Sequence, residues 1–414
     1  MRRLLILGAG TAGTIAANKL RRMLDADEWD ITIVDQRGAH YYQPAFLFIP
    51  FGRYRPDKAR KKASSFIPEG VTRVQGVIDR VDAEARTVAL EDGAELPYDY
   101  LIIATGTSPH PEETPGMEDD WHGAVHSFYT FDDAVALRRA LAGFTGGRLV
   151  VHISEMPIKC PVAPLEFTLL ADDFFRRRGL RDKVEITFVT PLSGAFTKPV
   201  AAAAFGDMLD SRGIAVEPDF MVESIDPEAR TVVSFDEREV PYDLFVTVPV
   251  NKGAGFVGRS GLGDELDFVP VDHHTLRHAG HPEIFALGDA AAVPTSKAGA
   301  VAHFELDVFP ENFVRIIAGE EPQERFDGHA TCFIESGGGK AMLIDFNYDT
   351  EPLPGMFPVP TVGPLPLLKE SRFNHWGKLA FEPIYWSMLL PGHPLPLPAQ
   401  MSMRGKRVPA KEET

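Results

Sequence analysis

The sequence predicts an α/β protein built of two tandem nucleotide-binding-type halves followed by a C-terminal α+β segment. Three features carry that prediction: a glycine-rich turn behind an apolar run at the N-terminus, a second copy of the same strand pattern after residue 145, and a proline- and aromatic-rich stretch near the end.

The apolar run at residues 4–7 breaks into Gly8-Ala9-Gly10-Thr11-Ala12-Gly13 and then into a helical pattern over residues 15–24. A strand feeding such a turn and helix is the Rossmann-like, FAD/NAD(P)-type arrangement. Gly8 turns the chain, Gly10 lets backbone approach a pyrophosphate, and Gly13 lets helix and strand pack closely. Thr11 and Ala12 open the helix, whose free N–H groups and partial positive charge suit the phosphates. A second strand over residues 30–35 ends in Asp35, placed to meet a ribose hydroxyl. The aromatic loop at residues 40–48 reads either as a surface beside the cofactor or as a core-packing loop, and the basic run 53–62 as solvated. Strands are expected over residues 72–78 and 87–90, with Asp92-Gly93 as a hairpin signal, and a buried strand ends in Ala104-Thr105-Gly106.

The chain then repeats itself. Glu84-Ala85-Arg86-Thr87-Val88 recurs as Glu228-Ala229-Arg230-Thr231-Val232, and Pro97-Tyr98-Asp99 as Pro241-Tyr242-Asp243, both 144 residues on. Leu149-Val150-Val151 therefore opens a second half equivalent to the first. In that half no glycine stands where backbone must approach a pyrophosphate, and Thr190 replaces Asp35. A nicotinamide coenzyme there is not expected, so electrons come from another donor. Further on, a buried strand ends in Gly288-Asp289, followed by Lys297, Gly299 and a helix over residues 298–317. These glycines, Asp289 and Lys297 complete the expected cofactor-binding set. Strands at 331–335 and 341–347 flank a glycine turn. Residues 350–368 read as extended, residues 373–390 as one or two amphipathic pieces broken at Pro383, and the tail with Lys406, Arg407 and Lys411 as flexible. The expected organisation is 1–145 first part of the FAD-type domain, 146–260 degenerate second domain, 261–325 second part of the first domain, and 326–414 a C-terminal domain.

A net charge of −17 argues against a nucleic-acid partner. The N-terminal apolar run is too short for a cleaved signal peptide, and no segment approaches the length of a membrane span. The only two cysteines, Cys160 and Cys332, lie 172 residues apart, with neither a disulfide framework nor a metal-ligand spacing. They are either unremarkable thiols or an acting pair.

Lys159-Cys160-Pro161-x-Ala163-Pro164-x-Glu166, Cys332 ahead of Glu335 and the glycine turn, and Lys378-x-x-Phe381-Glu382 resemble the sulfide:quinone oxidoreductases of the flavoprotein disulfide reductase superfamily. The flavin subunits of flavocytochrome c sulfide dehydrogenases are similar too. The resemblance covers essentially the whole chain and implies FAD in the first half. Attachment is expected to be non-covalent, because residues 41–48 hold no cysteine. It implies a Cys160/Cys332 redox pair that takes sulfur from hydrosulfide, with Cys332 nearer the flavin and Glu166 as acid or base. It further implies a quinone slot at Lys378, Phe381 and Tyr385, and a lipid surface met by the C-terminal segment as a peripheral protein of an inner or plasma membrane. Homo-oligomerisation is compatible with it. Tyr129 stands where many relatives carry a third cysteine and Asp133 where a histidine is common, so a two-thiol arrangement is expected. The alternatives are electron delivery to a cytochrome c, a persulfide carrier or sensor with a structural flavin, and an NADH:quinone dehydrogenase.

Overall fold

The computed structural model describes residues 1–323, 325–358 and 363–408. Strand β1 (Arg2–Leu7) leads into helix α1 (Thr11–Met23), and β2 (Trp29–Asp35), β3 (Val71–Gln75) and β4 (Tyr100–Ile103) follow. These strands and the distant segment Ile284–Ala286 form one parallel sheet in the order Ile284–Ala286, β4, β1, β2, β3. Leu4, Leu5, Ile6 and Leu7 are all buried, as strands covered on both faces must be. Each such side chain contributes roughly 1.5–3 kcal/mol of apolar burial.

The second half repeats this plan. Strand β5 (Gly147–Ile153), helix α2 (Ala163–Arg177), β6 (Val184–Val189) and β7 (Leu244–Val248) build a parallel sheet in the order Val125–His126, β7, β5, β6, Ala215–Glu217. The sequence repeat reappears as geometry. Each half carries a three-stranded antiparallel sheet, and the equivalent turn residues Arg86 and Arg230 share left-handed backbone at φ 54° and 53°. Tyr98 and Tyr242 are both fully buried. Arg3 grips Asp99 as Arg148 grips Asp243, in each case with backbone and guanidinium donors on one carboxylate.

After β8 (Ile284–Ala286) comes α3 (Gly299–Ile317), then the antiparallel pair β9 (Ala330–Gly337) and β10 (Lys340–Phe346), and α4 (Arg372–Ile384). Two expectations are corrected here. Pro383 does not break the final helix: α4 runs through it and continues as a π turn, Tyr385–Leu389. Pro383 stands on the exposed side, where its missing N–H strands no buried group, and Leu390 N–H bonds Tyr385 O five residues back. The tail is also anchored up to Arg407. Lys406 buries its ammonium 2.5 Å from Asp345, Met356 N–H bonds Gly405 O, and Arg407 N–H bonds Pro354 O. A basic, proline-bearing stretch looks solvated by composition, yet one buried carboxylate suffices to hold it. Lys411 and residues 359–362 of the extended stretch lie outside the described residues.

Candidate active site

The first candidate surface is the turn between β1 and α1. Gly8 has φ +98°, and a Cβ there would lie 2.5 Å from Ala104 O. A Cβ on Gly13 would fall 1.9 Å from Gly8 O, so both glycines are dictated by backbone approach. Around Gly10 and Gly299, by contrast, a Cβ would meet nothing within 4 Å. Each stands at the start of a helix, at the N-cap of α1 and the first residue of α3, where unpaired N–H groups attract an anion. Asp35 braces the turn by accepting from Ala9 N–H (2.7 Å) and Arg37 N–H (2.6 Å), with lone pairs left for a ribose hydroxyl.

Ala104, Thr105 and Gly288 border this turn: a Cβ on Gly8 would lie 2.9 Å from Thr105 Cα, and one on Gly288 would lie 3.0 Å from Ala12 Cβ. Thr105 Oγ1 and Glu305 Oε1 are buried without a hydrogen-bond partner among the described residues. Glu305 accepts from Gly288 N–H (2.6 Å) through its other oxygen, and burial pushes it up to about 8. Lys297 donates to Asp289 O and Ala291 O (both 2.9 Å) and lies 3.7 Å from the Phe268 ring. Burial raises Asp289, opposed by Lys297 and Lys159. Open glycine edges, two helix N-termini and unpartnered buried oxygens fit an extended dinucleotide such as FAD.

The second candidate surface holds the thiols. In the second half, the loop that would cradle a pyrophosphate carries Cys160 instead, in left-handed backbone at φ +50°. That conformation is uncommon away from glycine. It is fixed by Cys160 N–H to Lys297 O (2.6 Å), and by Ala163 N–H (2.8 Å) and the Tyr129 hydroxyl (3.3 Å) to Cys160 O. Tyr129, at the third-cysteine position, thus braces the thiol loop. Lys159 donates to Tyr129 O (3.2 Å), and burial lowers its amine to about 8. Cys332, opposite Ile344 in the β9–β10 pair, is 9% exposed. Both cysteines are free thiols. Burial, reinforced by Glu166, pushes Cys160 up to about 12, while Lys378 and Lys159 pull it down. Cys332 is pushed higher still, by burial first and then by the charge of Cys160, so the two thiols share one electrostatic environment.

Beside them lies a buried ion pair. Glu166, on the first turn of α2, is 1% exposed and accepts from Lys378 Nζ (2.6 Å) and Glu335 N–H (2.7 Å). Lys378 also donates to Phe333 O (2.7 Å), the residue after Cys332. Burial raises Glu166 against the pull of Lys378; burial lowers Lys378, but the surrounding acids outweigh it and hold it above its ordinary value. His375, one turn before Lys378, bonds Glu335 Oε1 (2.7 Å). Sequence reasoning assigned no role to Glu335 or His375. The i, i+3 spacing of His375 and Lys378 was the available signal, since it puts both on one helix face.

The three residues of the expected quinone slot separate. Lys378 joins the Glu166 cluster. Phe381 packs against Tyr42 and Tyr385, ring centroids 6.4 and 6.1 Å away. The Tyr385 hydroxyl reaches the nucleotide turn, 2.8 Å from Thr11 Oγ1 and 2.7 Å from His40 Nε2. Burial lowers His40 to about 4, so its ring is neutral. Its Nδ1–H must then donate to Ala9 O, its Nε2 accept from Tyr385, and Thr11 donate to Tyr385.

The turn, the sheet it serves and residues 2–152, which match the pyridine nucleotide-disulphide oxidoreductase family, define an FAD-binding flavoprotein oxidoreductase. Within that class the chain is similar to the sulfide:quinone oxidoreductases. It is 26% identical over 397 residues to the mitochondrial sulfide:quinone oxidoreductase of Mus musculus, covering 94% of this chain and 86% of that one. The Dictyostelium discoideum counterpart is 27% identical over 398 residues, with the same coverage. The crystal structure of the Aquifex aeolicus sulfide:quinone oxidoreductase superposes with a TM-score of 0.78 at 21% identity, covering 95% of this chain and 92% of that one.

Proposed function

We propose that this protein is an FAD-dependent sulfide:quinone oxidoreductase in which Cys160 and Cys332 form the redox pair. The observation that carries this reading is that one buried ion pair adjoins both cysteine-bearing segments: Lys378 donates to Phe333 O, next to Cys332, and to Glu166, in the first turn of the helix that follows Cys160. In the oxidised pair, hydrosulfide attacks one sulfur of the disulfide; the S–S bond breaks, leaving a persulfide on one cysteine and a thiolate on the other. Burial disfavours that thiolate, and the Lys378 ammonium offsets the cost at both cysteines. Glu166 accepts the persulfide proton. Bound FAD supplies two-electron redox chemistry between sulfur and quinone. The acceptor side is assigned to the C-terminal segment around Phe381 and Tyr385, apart from Lys378, which belongs to the Glu166 cluster.

Peripheral attachment to a membrane completes the reading. Among the described residues no helix is long and apolar enough to cross a bilayer. Helix α4 instead exposes Phe373, Trp376 and Leu379 on one side, each more than half exposed, as an interfacial helix does. The test is sulfide-dependent reduction of decylubiquinone by FAD-loaded protein. Turnover that disappears in Cys160→Ser and Cys332→Ser supports the proposal; absence of turnover in the unmodified protein, or full turnover in both variants, refutes it.

A further inference from the structure

The proposed reaction has a proton requirement. Hydrosulfide yields sulfane sulfur, one proton and two electrons, and a quinone takes two electrons and two protons to become quinol. The sum, HS⁻ + Q + H⁺ giving S⁰ + QH₂, draws one proton from solvent per turnover. In the Glu166–Lys378 pair the carboxylate is buried, at 1% exposure, while the Lys378 side chain keeps 15%. Glu335 is fully buried, yet its Oε2 has no partner among the described residues. The other oxygen, Oε1, is held 2.7 Å from His375 Nδ1, and the His375 side chain keeps 20% of its surface exposed. Imidazole is the side chain suited to exchanging a proton with water near neutrality.

We propose that His375 is a positioning residue that carries protons from solvent to the buried Glu335–Glu166–Lys378 cluster. Its Nε2 takes a proton from water while Nδ1–H gives its own to Glu335 Oε1; the ring ends neutral as the other tautomer, and rotation resets it. The proton reaches the cluster through Glu335, whose Oε2 has no partner among the described residues and whose N–H bonds Glu166. Glu166 on α2 and Lys378 on α4 lie inward; at the rim, Glu370 is held by Arg212 and Lys340, and at the far end of the β9–β10 pair Asp345 is held by His329 and Lys406. None of these offers a second imidazole to Glu335. The inference rests on the function proposed above.

The experiment is the pH profile of sulfide:quinone turnover in the FAD-loaded protein, its His375→Ala variant, and that variant with excess free imidazole. General acid–base assistance of this kind predicts a kcat about 100-fold lower or more in His375→Ala, with KM for sulfide unchanged. The pH profile of kcat is expected to differ between the variant and the unmodified protein, and imidazole restores both rate and profile. An unchanged kcat, or a loss that imidazole does not restore in a variant with a normal bound-flavin spectrum, overturns the proposal. If His375→Ala does not fold, Glu335→Gln must show the same loss and the same altered profile, and normal turnover in it overturns the proposal equally. No turnover in the unmodified protein removes the proposed function and this inference together, whereas normal turnover in the variants removes the inference alone.

Discussion

Replacing Lys378 by methionine keeps most of the side-chain volume but leaves Glu166 buried with only the Glu335 N–H to answer its charge. A buried carboxylate without its cation either costs several kcal/mol or takes up a proton. Protonation sets the ceiling: from an ordinary value of 4.5, neutralising the group costs about 3 kcal/mol at about pH 7 and about 1 kcal/mol at about pH 5. The sign follows from linkage. Loss of the ammonium raises the folded-state value of Glu166 further above its unfolded value, so stability is retained at low pH and lost as pH rises. With an unfolding entropy of roughly 2.1 cal/mol/K per residue over 414 residues, a deficit of about 3 kcal/mol lowers Tm by about 4 °C at neutral pH and about 1 °C near pH 5. Thermal unfolding of FAD-loaded Lys378→Met at the two pH values reads this directly, and adding Glu166→Gln should abolish the pH dependence. A deficit equal at both pH values, or no deficit at neutral pH, would refute the pairing argument.

Gly13→Ala should leave the protein unable to retain flavin, since its Cβ would overlap Gly8 O; visible absorbance of the purified variant checks this. Tyr385→Phe removes the bridge between Thr11 and His40, worth about 1 kcal/mol, and should speed FAD release several-fold, whereas a change confined to KM for quinone would assign Tyr385 to the acceptor slot alone. Trp376→Glu with Leu379→Glu should abolish sedimentation with lipid vesicles while sparing turnover with a short-chain quinone, because both side chains point away from the body. Equal vesicle binding would remove the membrane assignment from α4.

What the sequence disclosed follows from the range of the forces involved. The β1 turn was legible because Gly8 and Gly13 answer to backbone a few residues away, and because strand–turn–helix order constrains them locally. The second half was legible because the Arg86 and Arg230 turns, the buried Tyr98 and Tyr242, and the aspartates beside them recur in one order. Glu335 with His375 was not, because 40 residues separate partners that meet only when α4 packs on β9. Lys406 was misjudged for the same reason: its composition says solvent, and only Asp345, 61 residues earlier, says otherwise. Tyr385 was picked out as an aromatic near a lysine motif, but a hydroxyl bonded across 374 residues leaves no local trace.

The end of the final helix is tied back to the first helix. Asn18 donates to Leu390 O, Arg22 to Pro391 O and Gly392 O, and Thr11 bonds Tyr385. During synthesis the nucleotide turn leaves the ribosome almost at once, but these contacts cannot form until the chain is nearly finished. Tight flavin capture is therefore a late event, and a ribosome-stalled chain ending before residue 372 should hold the cofactor poorly even with its glycine turn complete.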